Sequence, residues 1–187
     1  MIRYIADLHF DNEDIIAYDN RPFDSVEEMN KKMVEKWNRV ITDPNDMTWI
    51  LGDFCSGGPE RWEQILKKLK GRKGLILGNH DERVTAAAMS DYFEDISDYR
   101  EIMDGNRHVV LCHYPILGFH DQYFGWYHLY GHVHSSYEWN VTENAKRLLK
   151  KLYVREDISR MANVGAMMSY MDYRPRSLDE LVGFGVF

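Results

Sequence analysis

Seven side chains that could bind metal ions stand directly after short apolar segments of the sequence. Five such segments end in one or two of these residues, whereas chance would scatter them through loops and helix faces. The candidates are Asp7, His9, Asp53, Asn79, His113, His132 and His134. Oxygen and imidazole donors without a thiolate favour Mn, Fe, Co, Ni or Zn over a structural zinc site. The pattern therefore predicts a reactive metal centre.

The spacing within this set suits more than one ion. Asp7 and His9 are two residues apart, and so are His132 and His134. In an extended chain the side chains of each pair point the same way, so one ion can take both members of the first pair. The second pair could serve neighbouring ions. Seven ligands are too many for one tetrahedral ion, but they suit two ions about 3.5–4 Å apart that share a carboxylate.

Glycine stands one position before three of the candidates, as Gly52, Gly78 and Gly131. Because glycine has no Cβ atom, it allows tight turns and a close approach of the backbone to a bound group. We interpret these glycines as part of the same site.

The elements that must position these residues alternate between strands and helices. Apolar runs predict strands at Ile2–Ala6, Met47–Leu51, Lys73–Leu77, Tyr99–Met103, His108–Cys112, Tyr127–Tyr130 and Arg160–Val164. Helical spacing predicts helices that begin with a capping box at Ser25 and with Pro59, and further helices over Glu82–Met89 and Val141–Leu149. This alternation favours an α/β fold, and a hairpin turn at Asp104-Gly105-Asn106 makes the sheet mixed. Sites in such folds gather beyond the carboxyl ends of strands.

Length and composition predict one globular domain. The chain has 187 residues, of which 44% are hydrophobic and 28% are charged, and no repeat or linker suggests a boundary. No apolar run is long enough to span a membrane, and the N-terminus does not resemble a signal peptide. The two cysteines, Cys55 and Cys112, form no disulfide framework and are interpreted as small buried hydrophobes. We therefore expect a cytoplasmic protein.

The formal net charge of −7 argues against extended nucleic acid as a partner. Two basic segments, Lys67–Lys73 and Lys146–Lys151, are interpreted as solvated helix ends rather than nucleic-acid patches. The aromatic stretch Phe119–Tyr127 either lines a pocket that stacks a ring or packs under a loop. Asn163-Val164-Gly165 follows a strand and is a candidate for the substrate edge.

In order along the chain, the blocks Asp-x-His, Gly-Asp, Gly-Asn-His-Asp, a lone His and Gly-His-x-His resemble those of the calcineurin-like metallophosphoesterases. They extend from residue 7 to residue 134. The segment Asp19–Phe23, followed by a helix that ends in Trp37-Asn38, is similar to a small, compact bacterial or phage branch of that family. Asp11-Asn12 departs from the Gly-His of that branch, beside the expected pocket wall. The resemblance implies an α/β, mixed β-sheet sandwich flanked by helices, in one domain over residues 1–187.

The resemblance also implies roles for individual residues. The first ion would be held by Asp7, His9, Asp53 and His134. The second would be held by Asp53, Asn79, His113 and His132, so Asp53 would bridge. His80 would act as general acid with Asp81 orienting it, and the substrate would meet Asn79, His80 and His113. We expect two divalent ions, with Mn²⁺ ahead of Fe, Zn, Co or Ni.

The expected function is metal-dependent hydrolysis of a small or nucleotide-like phosphate ester, with a diester favoured, by a hydroxide that bridges the two ions. The sequence contains no nucleophilic triad and no Gly-rich phosphate loop with an adjacent lysine, which argues against a covalent enzyme or an ATPase. A metal-dependent nuclease is the alternative enzyme, but a nuclease would need a basic groove to bind its substrate. A non-catalytic scaffold of the same fold would be expected to lose ligands, and every one is present. The substrate and the oligomeric state remain open.

Overall fold

The apolar runs of the sequence build two β-sheets of four strands each in a computed structural model, which describes residues 1–155 and 157–187. The first sheet has the order β1-β2-β3-β4 and is parallel throughout. Its strands are β1 (Ile2–Ile5), β2 (Met47–Leu51), β3 (Arg72–Ile76) and β4 (Ile96–Ser97). The second sheet has the order β5-β6-β7-β8, with one antiparallel pair, β5 and β6. Its strands are β5 (Tyr99–Asp104), β6 (Arg107–Cys112), β7 (Tyr127–Tyr130) and β8 (Arg160–Asn163).

Six α-helices accompany the sheets in the described ranges. They are α1 (Asp14–Tyr18), α2 (Val26–Val40), α3 (Pro59–Leu66), α4 (Arg83–Ala88), α5 (Tyr137–Tyr153) and α6 (Leu178–Gly183). The predicted α/β sandwich flanked by helices is therefore confirmed. No helix in the part of the chain described here is both long and apolar enough to cross a membrane.

The two sheets share one core. Ile5 and Leu51 of the first sheet and Leu111 and Leu129 of the second are fully buried in the same apolar cluster. Each such side chain contributes roughly 1.5–3 kcal/mol relative to exposure. Helices α2, α3 and α6 bury their apolar faces in this cluster. Both cysteines are free and buried, as the sequence predicted.

The helix signals of the sequence are confirmed with one change of detail. The Ser25 hydroxyl accepts a hydrogen bond from the Glu28 amide at 3.2 Å, which starts α2. The Glu28 carboxylate accepts from the Asp24 amide instead of the Ser25 amide, so the predicted capping box is only half formed. Pro59 occupies the start of α3, where the missing amide hydrogen costs nothing.

Short elements and helix ends account for most differences from the predicted boundaries. Helix α5 begins at Tyr137 rather than Val141, because the Ser136 hydroxyl caps it by accepting from the Glu138 amide at 3.1 Å. Helices α1 and α6 and strand β4 were not predicted. The five residues of α1 and the two of β4 are too few to show a period in the sequence.

The sheets are joined where β1 and β8 end. The Ala6 amide donates to the Val164 carbonyl at 2.8 Å, and the Ala166 amide donates back to the Ala6 carbonyl at 2.8 Å. This parallel bridge brings Gly165 beside the residue that follows Ala6, which is Asp7. The carboxyl ends of strands from both sheets therefore face a common region.

Candidate metal centre

The candidate ligands lie just beyond the carboxyl ends of five strands, β1, β2, β3, β6 and β7. This is the arrangement that the sequence predicted from apolar segments ending in donor residues. The centre is thus built by both sheets and not by one loop.

The first group of ligands is compact and buried. Each of its four residues offers one donor atom, and these atoms all lie within 4.8 Å of one another. The residues are Asp7, His9, Asp53 and His134. Such a set of two carboxylates and two imidazoles can hold one divalent ion.

The second group converges on the side chain of Asn79. Its Oδ1 atom lies 2.9 Å from His113 Nε2 and 2.8 Å from His132 Nδ1. The Asp53 Oδ2 atom lies 3.5 Å from His113 Nε2 and also 3.5 Å from His9 Nε2. Asp53 therefore stands between the two groups, where a shared carboxylate would have to be.

The two groups differ in their access to solvent. All four residues of the first group are buried. In the second group Asn79 and His132 are exposed, while His113 is fully buried. A substrate would therefore approach from the side of Asn79 and His132.

The donor set fits a bound cation. His9 Nε2 is buried and has no hydrogen-bond partner among residues 1–155 and 157–187, a state that buried polar atoms rarely tolerate. Burial raises the pKa of Asp53 to about 6 and also raises the pKa of Asp7. Burial, with the neighbouring His134, lowers the pKa of His9 to about 2. A divalent ion would satisfy the free nitrogen and stabilise both carboxylates in their charged form.

The backbone at five of the seven candidates is left-handed. The φ angles are 52° at Asp7, 48° at His9, 55° at Asp53, 69° at His132 and 46° at His134. Asp and His tolerate this region better than most residues, yet each such residue costs about 1–3 kcal/mol. The Asp7 amide donates to the Gly52 carbonyl at 3.0 Å and the His9 amide to the Asp53 carbonyl at 2.9 Å, which holds two of these turns.

The glycines beside the ligands make room for other ligands. A Cβ atom at Gly78 would lie 2.5 Å from the backbone nitrogen of Asp53, and one at Gly131 would lie 2.7 Å from Asp7 Oδ2. The sequence suggested a close approach to a bound group. The close approach in the structure is to the neighbouring ligand residue.

His80 and Asp81 have different surroundings. The His80 side chain is exposed at the centre, and its ring lies 5.4 Å from that of His9, centroid to centroid. The Asp81 carboxylate accepts hydrogen bonds from the amides of Asp53 at 2.8 Å, Phe54 at 2.9 Å and Gly78 at 2.9 Å. Asp81 therefore holds the backbone turns around His80 and does not bind the His80 ring.

A cleft of about 360 Å³ opens over the centre. It is lined by His9, Asn12, Asp14, Ile15, Tyr18, Asp53, Asn79, His80, His132 and His134. Asn79 and His80 face the cleft as predicted substrate contacts should. His113, also predicted to meet the substrate, is fully buried and does not line the cleft.

The wall of this cleft was missed by sequence reasoning. Helix α1 supplies Asp14, Ile15 and Tyr18, and the Tyr18 ring meets the His134 ring edge-on at 5.5 Å. The aromatic stretch Phe119–Tyr127 packs elsewhere: Phe119 and Trp126 belong to a small second core cluster. Packing therefore accounts for Phe119 and Trp126, whereas Tyr123 and Phe124 are exposed and do not line the cleft.

Other side chains support the ligand loops. Buried Asn163 donates from Nδ2 to the His134 carbonyl at 2.8 Å and accepts from the Gly165 amide at 2.8 Å. It braces a turn, which corrects the suggestion that it meets the substrate. Asp19 Oδ1 lies 2.8 Å from His134 Nδ1, and Arg21 is paired with Asp19. The sequence singled out this segment only for its family resemblance.

The basic segments are largely solvated, as interpreted from the sequence, but one lysine in each is buried. Lys67 is exposed and pairs with Glu63 at 3.0 Å. Lys73 is buried and donates to the Gly71 carbonyl at 2.7 Å. Lys146 is buried as well and donates to the Met161 carbonyl at 2.7 Å. Buried lysines of this kind serve packing rather than a surface charge track.

Comparison with known proteins finds a matching family and several similar proteins. The family model for calcineurin-like phosphoesterases matches residues 2–164. An uncharacterised protein of Methanocaldococcus jannaschii is 30% identical over 185 residues, covering 97% of this chain and 89% of that protein. The gene 66 protein of Mycobacterium phage D29 is 31% identical over 163 residues, covering 73% of this chain and 81% of its own. A solved structure from Aquifex aeolicus, a protein of unknown function, superposes with a TM-score of 0.71 at 25% identity and covers 98% of each chain.

Proposed function

The chain belongs to the calcineurin-like phosphoesterase family, and on that premise we propose that it hydrolyses a small phosphate ester at a centre of two divalent metal ions. The observation that carries the proposal is the position of Asp53. Its Oδ2 atom lies 3.5 Å from an imidazole nitrogen in each of the two ligand groups, His9 Nε2 and His113 Nε2. A carboxylate shared in this way is the feature that distinguishes a two-metal site from two separate ones.

The residues divide between the ions as follows. The first ion would be held by Asp7, His9, Asp53 and His134, and the second by Asp53, Asn79, His113 and His132. Bound divalent ions supply an activated water and neutralise the charge of the phosphoryl oxygens. Nitrogen and oxygen donors suit Mn²⁺, with Fe, Zn, Co and Ni as alternatives.

His80 would donate a proton to the leaving group. Histidine is the side chain that most readily carries and releases a proton near neutral pH, and His80 faces the cleft beside the ligands. The His80 amide donates to Asp53 Oδ1 at 2.8 Å, so the turn that carries the ring is tied to the shared ligand. Asp81 would orient His80 by holding the Gly78 amide before this turn and the amides of Asp53 and Phe54 beside it.

The lining of the cleft favours a diester. Neither lysine nor arginine is among its lining residues within the described ranges, and Asp14 adds an acidic group. The ions would thus be the main source of positive charge, offset by Asp7 and Asp53. A small net positive charge suits a diester monoanion better than a polyphosphate.

Two alternatives find less support. A nuclease would need a basic track for a long strand, but Lys73 and Lys146 are buried and the formal net charge is −7. A scaffold without activity would not need a complete ligand set with His80 beside it. The free, buried thiols of Cys55 and Cys112 suit the reducing cytoplasm that the sequence predicts as the compartment.

Metal content tests the proposal directly. Protein reconstituted with Mn²⁺ and desalted should hold close to two ions per chain by elemental analysis. Asp53→Asn should weaken the binding of both ions, because the carboxylate is shared. Asp172→Asn makes the same chemical change at a surface ion pair with Lys36 and should leave both ions bound. One firmly bound ion in the wild type would contradict a dinuclear centre, and none would contradict the proposed function.

A further inference from the structure

A buried ion pair lies directly behind the first ligand group. Arg21 Nε and Nη2 donate to Asp19 Oδ2 at 3.0 Å and 2.9 Å, and the two side chains are 0% and 2% exposed. Burying two charges costs desolvation free energy that their mutual attraction often does not offset, so the pair alone is weak evidence of stabilisation. Its contacts with other groups must therefore explain its place in the fold.

Asp19 uses its second oxygen on a candidate ligand. The Oδ1 atom lies 2.8 Å from His134 Nδ1. A carboxylate in this position keeps the proton on Nδ1, which leaves Nε2 free to bind an ion and fixes the plane of the ring.

Arg21 uses two of its remaining donors on the backbone of the first ligand block, and Nη1 also contacts the Met29 sulfur at 3.6 Å. Nη2 donates to the Asp7 carbonyl at 2.9 Å, and Nη1 donates to the Leu8 carbonyl at 2.9 Å. The chain there is left-handed at Asp7 and at His9, and the guanidinium binds the two carbonyls that lie between these residues. The planar guanidinium reaches both carbonyls and the carboxylate at once, whereas a lysine ammonium could not.

The brace formed by Asp19 and Arg21 thus connects two ligand loops from different sheets. One loop carries Asp7 and His9 after β1, and the other carries His134 after β7. The remaining candidate ligands are not part of it: Asp53, Asn79, His113 and His132 make no hydrogen bond to either residue within the part of the chain that the structure describes.

We propose that Asp19 and Arg21 are positioning residues that hold His134 and the Asp7–His9 turn in the geometry required by the first metal ion. The inference rests on the proposed function, since it requires a bound ion. Asp19 and Arg21 should affect metal binding by the first ligand group and not by the second.

Titration with Co²⁺ in two variants, each lacking one candidate ligand, measures the two ligand groups separately. His132→Ala removes a ligand of the second group, and His9→Ala removes a ligand of the first. Co²⁺ binding is followed by visible absorption, which reports ligand geometry, and by calorimetry. Adding Asp19→Asn or Arg21→Lys to the His132→Ala chain should weaken binding by about 10–100-fold and change the absorption spectrum. In the His9→Ala chain the same substitutions should change affinity less than threefold.

Lys146→Met is the control for the general effect of losing a buried hydrogen-bonding side chain. Lys146 also donates to a backbone carbonyl, that of Met161, but lies outside the centre. Its variant should lose thermal stability and keep wild-type Co²⁺ affinity and spectrum. Arg21→Lys keeps the positive charge. A loss of Co²⁺ affinity in this variant would therefore show that the planar guanidinium is required and that charge alone is not sufficient.

The outcomes separate this inference from the proposed function. If the wild type takes up no Co²⁺, the proposed function fails and the inference fails with it. If the wild type binds two ions but Asp19→Asn and Arg21→Lys leave both affinities unchanged, only the inference is wrong. Equal weakening in both backgrounds would also overturn it, because the effect would then be general to the fold.

Discussion

His80 illustrates, at the scale of a single residue, how position separates a candidate general acid from a candidate ligand. It faces the cleft beside the ligands, but belongs to neither ligand group. His80→Ala should therefore retain both ions and lose about 100-fold or more in kcat with a poor leaving group. The loss should be smaller with an activated aryl leaving group, which needs no proton. The measurement is kcat for a matched pair of esters, with metal content determined on the same samples.

His120→Ala is the control for this experiment. His120 is exposed, pairs with Glu101 at 3.0 Å and does not line the cleft. Equal losses for both esters in His80→Ala, or loss of metal with the side chain, would show that His80 is not the acid.

The candidate ligands could be selected from the sequence because their residue types and order are visible there. Asp7, Asp53 and His113 each end an apolar run, and five blocks in order make a specific pattern. Asp19 and Arg21 could not be assigned in this way. Their roles depend on His134 and on the carbonyls of Asp7 and Leu8, which only the folded chain brings near them.

Strand β7 shows, at the scale of an element, how burial restricts a titrating side chain. His128 in β7 is fully buried, accepts a hydrogen bond from the Ile116 amide at 3.0 Å and contacts the Val110 carbonyl at 3.1 Å. Burial lowers its pKa from 6.5 to about 4, although the carbonyls of Val110 and Tyr114 act in the opposite direction. As the pH falls, His128 therefore becomes protonated in the unfolded chain at a higher pH than in the folded chain.

Stability should consequently decrease as the pH falls from 6.5 towards 4, by about 3 kcal/mol from His128 alone. His128→Gln cannot bind the proton. The variant should be less stable than the wild type at pH 7.5, and the difference should shrink as the pH falls. Urea unfolding of both proteins in chelator across this range measures the effect. A difference that is constant with pH would mean that His128 is not held neutral.

Elements with enough residues to show a period were predicted well, and the others were not. Strand β2 lies where the sequence placed it, at Met47–Leu51, because an apolar run and a glycine define it. Helix α1 has only five residues, and its role as the cleft wall depends on where Asp14 and Tyr18 lie in the fold. Local pattern carries the first kind of information and not the second.

Charge at the scale of the whole molecule should select against long substrates. The formal net charge is −7, and the cleft has no lysine or arginine among its lining residues in the described ranges. A polyanion would be repelled beyond its first few phosphates. We expect kcat/KM at physiological salt to be highest for a small diester, lower for its monoester, and lowest for a single-stranded oligonucleotide of about a dozen nucleotides.

A kcat/KM tenfold higher for the oligonucleotide than for the small diester would contradict the proposed function and indicate a nuclease. Lys67 and its exposed neighbours would then be the first residues to change, since Lys73 is buried. Salt dependence provides the internal control: a nuclease should lose affinity steeply with added salt, and an enzyme acting on a monoanion only weakly.

Neither sheet carries a complete set of donors for either proposed ion. Strands of the first sheet lead to Asp7, His9, Asp53 and Asn79, and strands of the second lead to His113, His132 and His134. A chain still leaving the ribosome therefore has no complete site until β7 has been made and has docked. Ions bound as proposed would therefore stabilise a tertiary structure in which both sheets have already docked.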